Sequence, residues 1–161
     1  MRATPLMTAF LCVLCAASVT GCKSKPPKPP PPAVVNVSLQ AKPDVNPDTD
    51  GRASPIVVRL YQLKADATFL GADYYPLFND EKKVLGPDLV SIEEKELFPG
   101  QTLSLEVPFS GDTRFIGVAG GYHDPGSTTW RAIAAAPGSK GKSVKATAVA
   151  ERTKVTVSVT P

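Results

Sequence analysis

The stretch Ser54–Phe78, SPIVVRLYQLKADATFLGADYYPLF, decides the fold because it joins a strand pattern to a helical pattern. Ile56–Leu63 carries apolar side chains at odd and even positions, which predicts a strand buried on both faces. Asp66–Leu85 breaks the two-residue period: Asp66 suits a helix N-cap, and Pro76 must end or restart a helix. The sequence therefore predicts a central strand followed by two short helical pieces, the second opened by Pro76.

The helical stretch also carries an aromatic cluster. Tyr74, Tyr75, Leu77 and Phe78 fall within five residues. Such a cluster on a short helix is more typical of a core than of a binding site. We expect these four side chains to cover one side of a sheet.

The remaining chain after residue 33 is dominated by strand patterns. Apolar and polar residues alternate in three segments, which is typical of half-buried strands in antiparallel sheets. Turn sequences rich in Pro, Gly, Asp and Ser separate these and four less regular segments. The turn sequences are Pro99-Gly100, Ser110-Gly111-Asp112, Asp124-Pro125-Gly126 and Pro137-Gly138-Ser139. The fold class predicted is all-β, a β-sandwich of about eight strands with a short helical insertion after the second. Besides Ile56–Leu63, the predicted strands are Val35–Gln40, Leu89–Leu97, Leu103–Val107, Arg114–His123, Thr128–Ala136, Ser143–Val149 and Val155–Val159.

The first 21 residues have the layout of a secretory signal peptide. Arg2 provides the positive charge, and Leu6–Val19 is an apolar segment too short for a bilayer, which needs roughly 20 residues. Cys12 and Cys15 form a C-x-x-C but lie inside this segment, where no folded context supports a redox or metal site. We therefore expect residues 1–21 to be removed.

Cys22 follows a sequence that resembles the bacterial lipobox, Val19-Thr20-Gly21-Cys22. The resemblance implies that the thiol receives a diacylglycerol, that the chain is cut before it, and that the new amine is acylated. The alternative is an ordinary secretory signal with an unused thiol. Lys23 follows the cysteine instead of the aspartate typical of inner-membrane retention, so the resemblance implies the outer membrane, facing the periplasm.

Lys23–Pro32, KSKPPKPPPP, is a proline-rich linker. Proline favours extended polyproline II at about 3.1 Å per residue, so ten residues span about 30 Å. We interpret residues 22–32 as a lipidated N-terminus and spacer, and residues 33–161 as the β-sandwich domain. That domain has 14 basic and 15 acidic residues, so the basic character lies in the N-terminal region and nucleic acid is not an expected partner.

The sequence offers no set of catalytic groups. His123 is the single histidine, no G-x-S-x-G motif is present, and Cys22 is expected to carry lipid. A zinc site would require three or four ligands. We therefore predict no enzymatic activity, no cofactor, no metal and no small-molecule substrate.

The connection Lys42–Ser54 contains one pattern that resembles a calcium loop. Asn46-Pro47-Asp48-Thr49-Asp50-Gly51 matches the first half of an EF-hand, but the twelfth position is Val57 instead of glutamate, and strands flank the loop instead of helices. A calcium- or ligand-binding lipoprotein remains the alternative function. The preferred interpretation is a long exposed loop that acts as a contact surface.

The 54–78 stretch resembles the signature of the type VI secretion outer-membrane lipoproteins, the TssJ or SciN family. That signature is an aliphatic strand ending R-x-Y-Q-L, a short helix with a phenylalanine, then A-D-aromatic and a leucine. Further matches are LGPDLVSIEEKELFPGQ, FIGVAGGY and Trp130-Arg131. The matching residues of the signature are Arg59, Tyr61, Gln62, Leu63, Phe69, Ala72, Asp73, Tyr74 and Leu77.

The family resemblance implies a transthyretin-like β-sandwich and a structural role without catalysis. It also implies a partner, the periplasmic part of the inner-membrane protein TssM, bound through the loop between the first two strands. In this sequence the corresponding loop is Lys42–Ser54. The predicted contact residues are Val45, Asn46, Pro47, Asp48 and Arg52.

The lipid anchor is directly testable. Cys22→Ser removes the thiol at the predicted cleavage site, so none of the acyl chains that would hold the protein at the bilayer can be attached. We expect loss of labelling by a clickable fatty acid and release of the protein from the membrane fraction. Cys15→Ser is the matched control and should label normally; labelling of the Cys22→Ser chain would contradict the prediction.

Overall fold

The computed structural model describes residues 33–136 and 144–160, which form two β-sheets, three short α-helices and two 3-10 turns. The eight predicted strands are all present, although the fifth and sixth are shorter than their predicted segments. The predicted signal peptide, Cys22, the linker and the Pro137-Gly138-Ser139 turn lie outside the described residues. The strands are β1 Ala33–Ala41, β2 Ile56–Leu63, β3 Leu89–Leu97, β4 Thr102–Phe109, β5 Phe115–Gly120, β6 Arg131–Ala135, β7 Val144–Ala150 and β8 Val155–Thr160.

The strands divide into two four-stranded sheets that pack face to face. One sheet has the order β4-β1-β7-β8 and the other β3-β2-β5-β6. All pairs are antiparallel except β1 and β7, which run parallel from Val35 opposite Val144 to Ala41 opposite Ala150. The parallel pair departs from the antiparallel arrangement expected from alternation. Strands β2 to β6 lie between β1 and β7 in the chain, so no hairpin forces these two neighbours to run in opposite directions.

Apolar side chains from the inner faces of both sheets form the core. Along β1 the alternating residues Val35, Val37 and Leu39 are buried, as their period predicts. Along β2, Ile56, Val58 and Leu60 point into the same core. Burial of this many branched apolar side chains is the main term that stabilises the sandwich.

The opposite face of β2 is covered by the helical insertion. Tyr61 and Leu63 form a second buried cluster with Phe69, Leu77 and Leu85 of the helices, so β2 is buried on both sides as predicted. Burial raises the pKa of the Tyr61 hydroxyl to about 12, which keeps it neutral. The insertion thus converts the outer face of one sheet into a second core.

The insertion consists of three helices, not the two predicted. They are α1 Ala67–Gly71, α2 Tyr74–Asn79 and α3 Glu81–Leu85. Pro76 is the third residue of α2 and does not open it. Asp66 occupies the N-cap position of α1 without a side-chain hydrogen bond, whereas Asp80 accepts one from the Lys83 N–H at the start of α3.

Two arginines from the sheet fasten the insertion by its backbone. Nη1 of Arg59 donates to the Phe78 carbonyl at 2.9 Å, and the Arg59 guanidinium lies 4.8 Å from the centroid of the Phe78 ring. Nη1 of Arg131 donates to the carbonyls of Phe69, at 3.1 Å, and of Ala72. Carbonyls at helix ends have no intrahelical partner, so these bonds explain where α1 and α2 stop.

The aromatic cluster covers the sheet only in part. Leu77 is fully buried, and Tyr74 and Phe78 are half-buried with ring centroids 4.5 Å apart. Tyr74 also packs edge-on against Trp130. Tyr75 was predicted to join this cover but is 65% exposed, because a six-residue helix turns that side chain to solvent.

Gln62 ties the two sheets together at one end of the sandwich. Its Nε2 donates to the Pro108 carbonyl at 3.0 Å, and its Oε1 accepts from the Thr113 hydroxyl at 2.8 Å and from the Ser110 N–H at 3.2 Å. A buried amide with all of these bonds made is compatible with an apolar core. The same amide would be costly if these partners were lost.

The topology separates the two ends of the domain. The connections β1–β2, β3–β4, β5–β6 and β7–β8 lie at one end, which we call the loop end. Ala33 and the β4–β5 turn lie at the other. β1 has nine residues, so at about 3.3 Å per residue roughly 30 Å separates them. No helix among the described residues is long and apolar enough to cross a bilayer.

Packing between β5 and α1 generates a stability prediction. A Cβ at Gly117 would lie 2.9 Å from Cζ of Phe69 and 3.1 Å from Cδ1 of Leu63, so Gly117→Ala must displace buried side chains. We expect the free energy of unfolding to fall by about 1–3 kcal/mol, measured by urea denaturation. Gly111→Ala, where no heavy atom lies within 4 Å, is the matched control. Equal stability of the two variants would contradict this packing.

Candidate functional site

The β1–β2 loop, residues 42–55, crosses from one sheet to the other at the loop end. It starts with a hydrogen bond from the Lys42 N–H to the Ala150 carbonyl at 2.9 Å, and the Val45 N–H then donates to the Lys42 carbonyl. The Val45 side chain is 0% exposed and belongs to the core between the sheets. The loop is therefore anchored in the sandwich by its own apolar residue.

Asn46 links this loop to a second loop. Its backbone has φ 49°, a left-handed conformation that asparagine tolerates better than most residues. Its Nδ2 donates to the Pro55 carbonyl at 2.8 Å, and its Oδ1 accepts from the His123 N–H at 2.8 Å. The side chain is 2% exposed, so these buried polar atoms are paired within the protein.

Asp48 organises the tip of the loop. Its Oδ1 accepts from the Asp50 and Arg52 N–H groups, and its Oδ2 from Nε of Arg52, all at 2.9 Å. Arg52 Nη2 reaches Asp50 Oδ2 at 2.9 Å, and Gly51 supplies the positive φ of 80° that the turn requires. The Arg52 N–H is the largest cause holding the pKa of Asp48 below 3.8.

These contacts bear on the calcium alternative. Both carboxylate oxygens of Asp48 already accept hydrogen bonds, and the Asn46 side-chain oxygen is turned inward to His123. Within residues 33–136 and 144–160, no group of three or more His, Cys, Asp or Glu side chains could hold a metal ion. The loop geometry follows from its own donors and acceptors without an ion.

The predicted contact residues divide between the interior and the surface. The side chains of Val45 and Asn46 are buried and shape the loop from inside. Pro47 and Asp48 are half-buried, and the Arg52 side chain is 74% exposed. Among the five predicted contact residues, Pro47, Asp48 and Arg52 are therefore the ones whose side chains reach solvent.

Neighbouring loops extend the surface beyond the predicted residues. On one side, the Ala41 N–H donates to the Gln101 carbonyl and brings the β3–β4 turn against the start of the loop. On the other side, a cleft of about 300 Å³ opens between the β1–β2 loop, the β5–β6 loop and the β7–β8 turn. The sequence marked Asp124-Pro125-Gly126 only as a turn, so it gave no sign that this segment shares a cleft with Asn46.

The cleft is lined by Ser127 and His123, two residue types that act together in serine hydrolases. The Ser127 hydroxyl, however, bonds the Asp124 carboxylate at 2.6 Å, and the His123 main chain is held by Asn46. A serine nucleophile instead needs a base oriented toward its oxygen. The arrangement positions loops, and it does not form a serine–histidine pair.

Comparison with known proteins places these features in a family. The sequence model described as "Type VI secretion lipoprotein, VasD, EvfM, TssJ" matches residues 33–161. The sequence has no significant match among curated proteins.

Solved structures give the same result. TssJ1, a type VI secretion lipoprotein from Pseudomonas aeruginosa, is 33% identical, with a TM-score of 0.74 over 81% of this chain and 98% of that chain. Lip from Serratia marcescens, a membrane-bound component of the type VI secretion system, is 29% identical, with a TM-score of 0.70 over 81% and 98%. A chain from the structure described as the TssM C-terminal domain from EAEC is 23% identical, with a TM-score of 0.65 over 80% and 98%.

The family model and the solved structures therefore identify a β-sandwich protein of the class of type VI secretion lipoproteins. The chain belongs to the type VI secretion lipoprotein family, TssJ or SciN, as the sequence resemblance predicted.

The order of the loop tip can be tested at Asp48. Asp48→Asn keeps Oδ1 for the two backbone donors but loses the charge that pairs with Arg52; Asp48→Ala loses both. We expect amide exchange at Asp50 and Arg52 to rise about tenfold or more in Asp48→Ala, and less in Asp48→Asn.

The same amides should respond to pH in the unsubstituted protein. Folding lowers the pKa of Asp48 from its ordinary value of 3.8. The ionised carboxylate therefore stabilises the loop fully above pH 3.8, and this stabilisation is lost as the pH falls through the pKa of Asp48 in the folded protein. Two results would contradict the role assigned to Asp48. One is equal exchange of the Asp50 and Arg52 amides in Asp48→Asn and Asp48→Ala, and the other is unchanged protection of these amides in strong acid.

Proposed function

We propose that this protein is a non-catalytic structural component of the type VI secretion membrane complex. Acylated Cys22 anchors it in the outer membrane, and the domain faces the periplasm and binds the periplasmic domain of TssM through the β1–β2 loop. The observation that carries the proposal is a charged, internally hydrogen-bonded loop at the end of the sandwich opposite Ala33.

The loop has the properties of a preformed recognition element. Its tip is ordered by the Asp48 carboxylate, and its base is held by buried Val45 and Asn46. A surface that is ordered before binding loses less conformational entropy when a partner docks. Asp48, Asp50 and the exposed Arg52 form a network of ion pairs at the tip, and the second carboxylate leaves the tip with a net negative charge that can steer and orient a partner.

The position of the loop suits an anchored protein. Lipid at Cys22 and the proline-rich linker precede Ala33, and the loop lies about 30 Å further along β1. The proline-rich sequence of the linker favours an extended chain, which would add to this reach. The recognition surface would therefore project away from the membrane, toward a partner that extends from the inner membrane.

The partner assignment rests on the family and on the structural neighbours. Chains of this fold occur in structures described as a type VI membrane complex and as the TssM C-terminal domain. These matches support TssM as the protein to test. The hydrogen-bonded loop supports a role in assembly more than one in calcium or ligand binding.

The proposal is tested by replacing residues 47–53 with glycine and serine at equal length. Val45, Asn46 and Ser54 remain, so the base of the loop keeps its bonds. We expect affinity for the TssM periplasmic domain, measured by biolayer interferometry, to fall by about tenfold or more, with thermal unfolding little changed.

Two charge reversals provide a matched pair. Arg52→Glu disrupts two exposed ion pairs and Lys64→Glu one, but only Arg52 lies at the loop end. Arg52→Glu should weaken binding and Lys64→Glu should not. Full binding by both the loop replacement and Arg52→Glu would refute binding through this loop.

A further inference from the structure

Three connections at the loop end are fastened to one another. Asn46 joins the β1–β2 loop to His123 of the β5–β6 loop. The hydroxyl of Tyr122 donates to the Glu151 carbonyl at 3.0 Å, and the Thr129 N–H donates to the Thr153 carbonyl at 2.9 Å. The β1–β2 loop, the β5–β6 loop and the β7–β8 turn therefore hold one relative arrangement, although they are distant in sequence.

The cleft between these three connections has a fixed floor. Tyr122 is 4% exposed, its hydroxyl is bonded to Glu151, and a Cβ at Gly120 would lie 2.8 Å from its ring. Pro47 forms part of one wall and Ser127 part of another. A preformed cavity of about 300 Å³ is at the lower end of the range for ligand pockets and can accept a large side chain.

The rim of the cleft carries two charges of opposite sign. Arg152 of the β7–β8 turn and Asp124 of the β5–β6 loop are exposed, and neither forms an ion pair with any residue that the structure describes. The charge of Asp48, by contrast, is offset by Arg52. A polypeptide segment with an acidic and a basic side chain around a central apolar one would complement this surface.

We infer that the partner-binding surface is this three-loop cleft and not the β1–β2 loop alone. The cleft receives a protruding segment of the same protein partner, because Pro47 and Asp48 belong both to the loop proposed for binding and to the cleft wall. Asn46 is the positioning residue that holds two walls together. This inference rests on the proposed function and extends it to residues outside the β1–β2 loop.

Ser127→Trp tests the cleft by filling it with a bulky side chain. Ser127 is exposed and its hydroxyl makes one local bond within its turn, as does Ser110 at the opposite end of the domain. Ser110→Trp is therefore the matched control. We expect Ser127→Trp to weaken binding of the TssM periplasmic domain by about tenfold or more and Ser110→Trp to leave it unchanged.

Charge and positioning are tested separately. Arg152→Glu should weaken binding, while Lys145→Glu, at an exposed site far from the loop end, should not. Asn46→Gly retains the positive φ but loses both side-chain bonds. We expect faster amide exchange at His123 together with weaker binding, and partial recovery of both in Asn46→Asp, which keeps an oxygen for the His123 N–H.

The outcomes distinguish the inference from the proposed function. If replacement of residues 47–53 weakens binding but Ser127→Trp and Arg152→Glu do not, the cleft is not the binding surface and the β1–β2 loop alone binds TssM. If none of the three changes weakens binding, the proposed function fails as well. Loss of binding in Ser127→Trp with an intact Ser110→Trp control supports the cleft, even if Asn46→Gly fails to fold.

Discussion

Burial of β2 on both faces is the constraint on which the rest of the structure depends. Ile56, Val58 and Leu60 require a second sheet on one side, and Tyr61 and Leu63 require a cover on the other. The helical insertion supplies that cover immediately after β2 in the chain. An apolar strand this long is stable in water only when both faces are removed from solvent.

The cover in turn depends on polar contacts that the sheet provides. Arg59 and Arg131 bind carbonyl groups at the ends of two helices that are too short to be stable alone. Phe69 packs onto the space left by Gly117, which has no side chain. Sheet and insertion therefore specify each other, and Tyr122 and Trp130 of the β5–β6 loop connect the loop end to the insertion.

Much of this fold could be predicted from local patterns, because alternation along β1, β4 and β8 reports burial directly. The number of helices could not be predicted in this way. Helix α1 ends where Arg131 binds the carbonyl groups of Phe69 and Ala72, and these residues lie about 60 positions from Arg131 in the sequence. The parallel pairing of β1 and β7 is likewise a property of the assembled sandwich.

In the candidate site, too, local patterns could predict some features, whereas contacts between distant residues could not be predicted. The loop and its charged tip followed from turn chemistry and from family resemblance, but the direction of each side chain did not. Val45 is buried because the end of the sandwich needs an apolar plug, and a single valine in a polar loop was the available signal. The Asn46–His123 bond joins residues 77 apart, and no local pattern encodes it.

We propose that TssM binds the loop end of the domain. Amide hydrogen exchange of this domain, measured with and without the TssM periplasmic domain, locates the surface that becomes protected on binding. We expect protection to be concentrated in residues 44–54, 122–128 and 151–154. Protection confined to the opposite end, around residues 110–114, or to the outer face of β4 and β8, would contradict it.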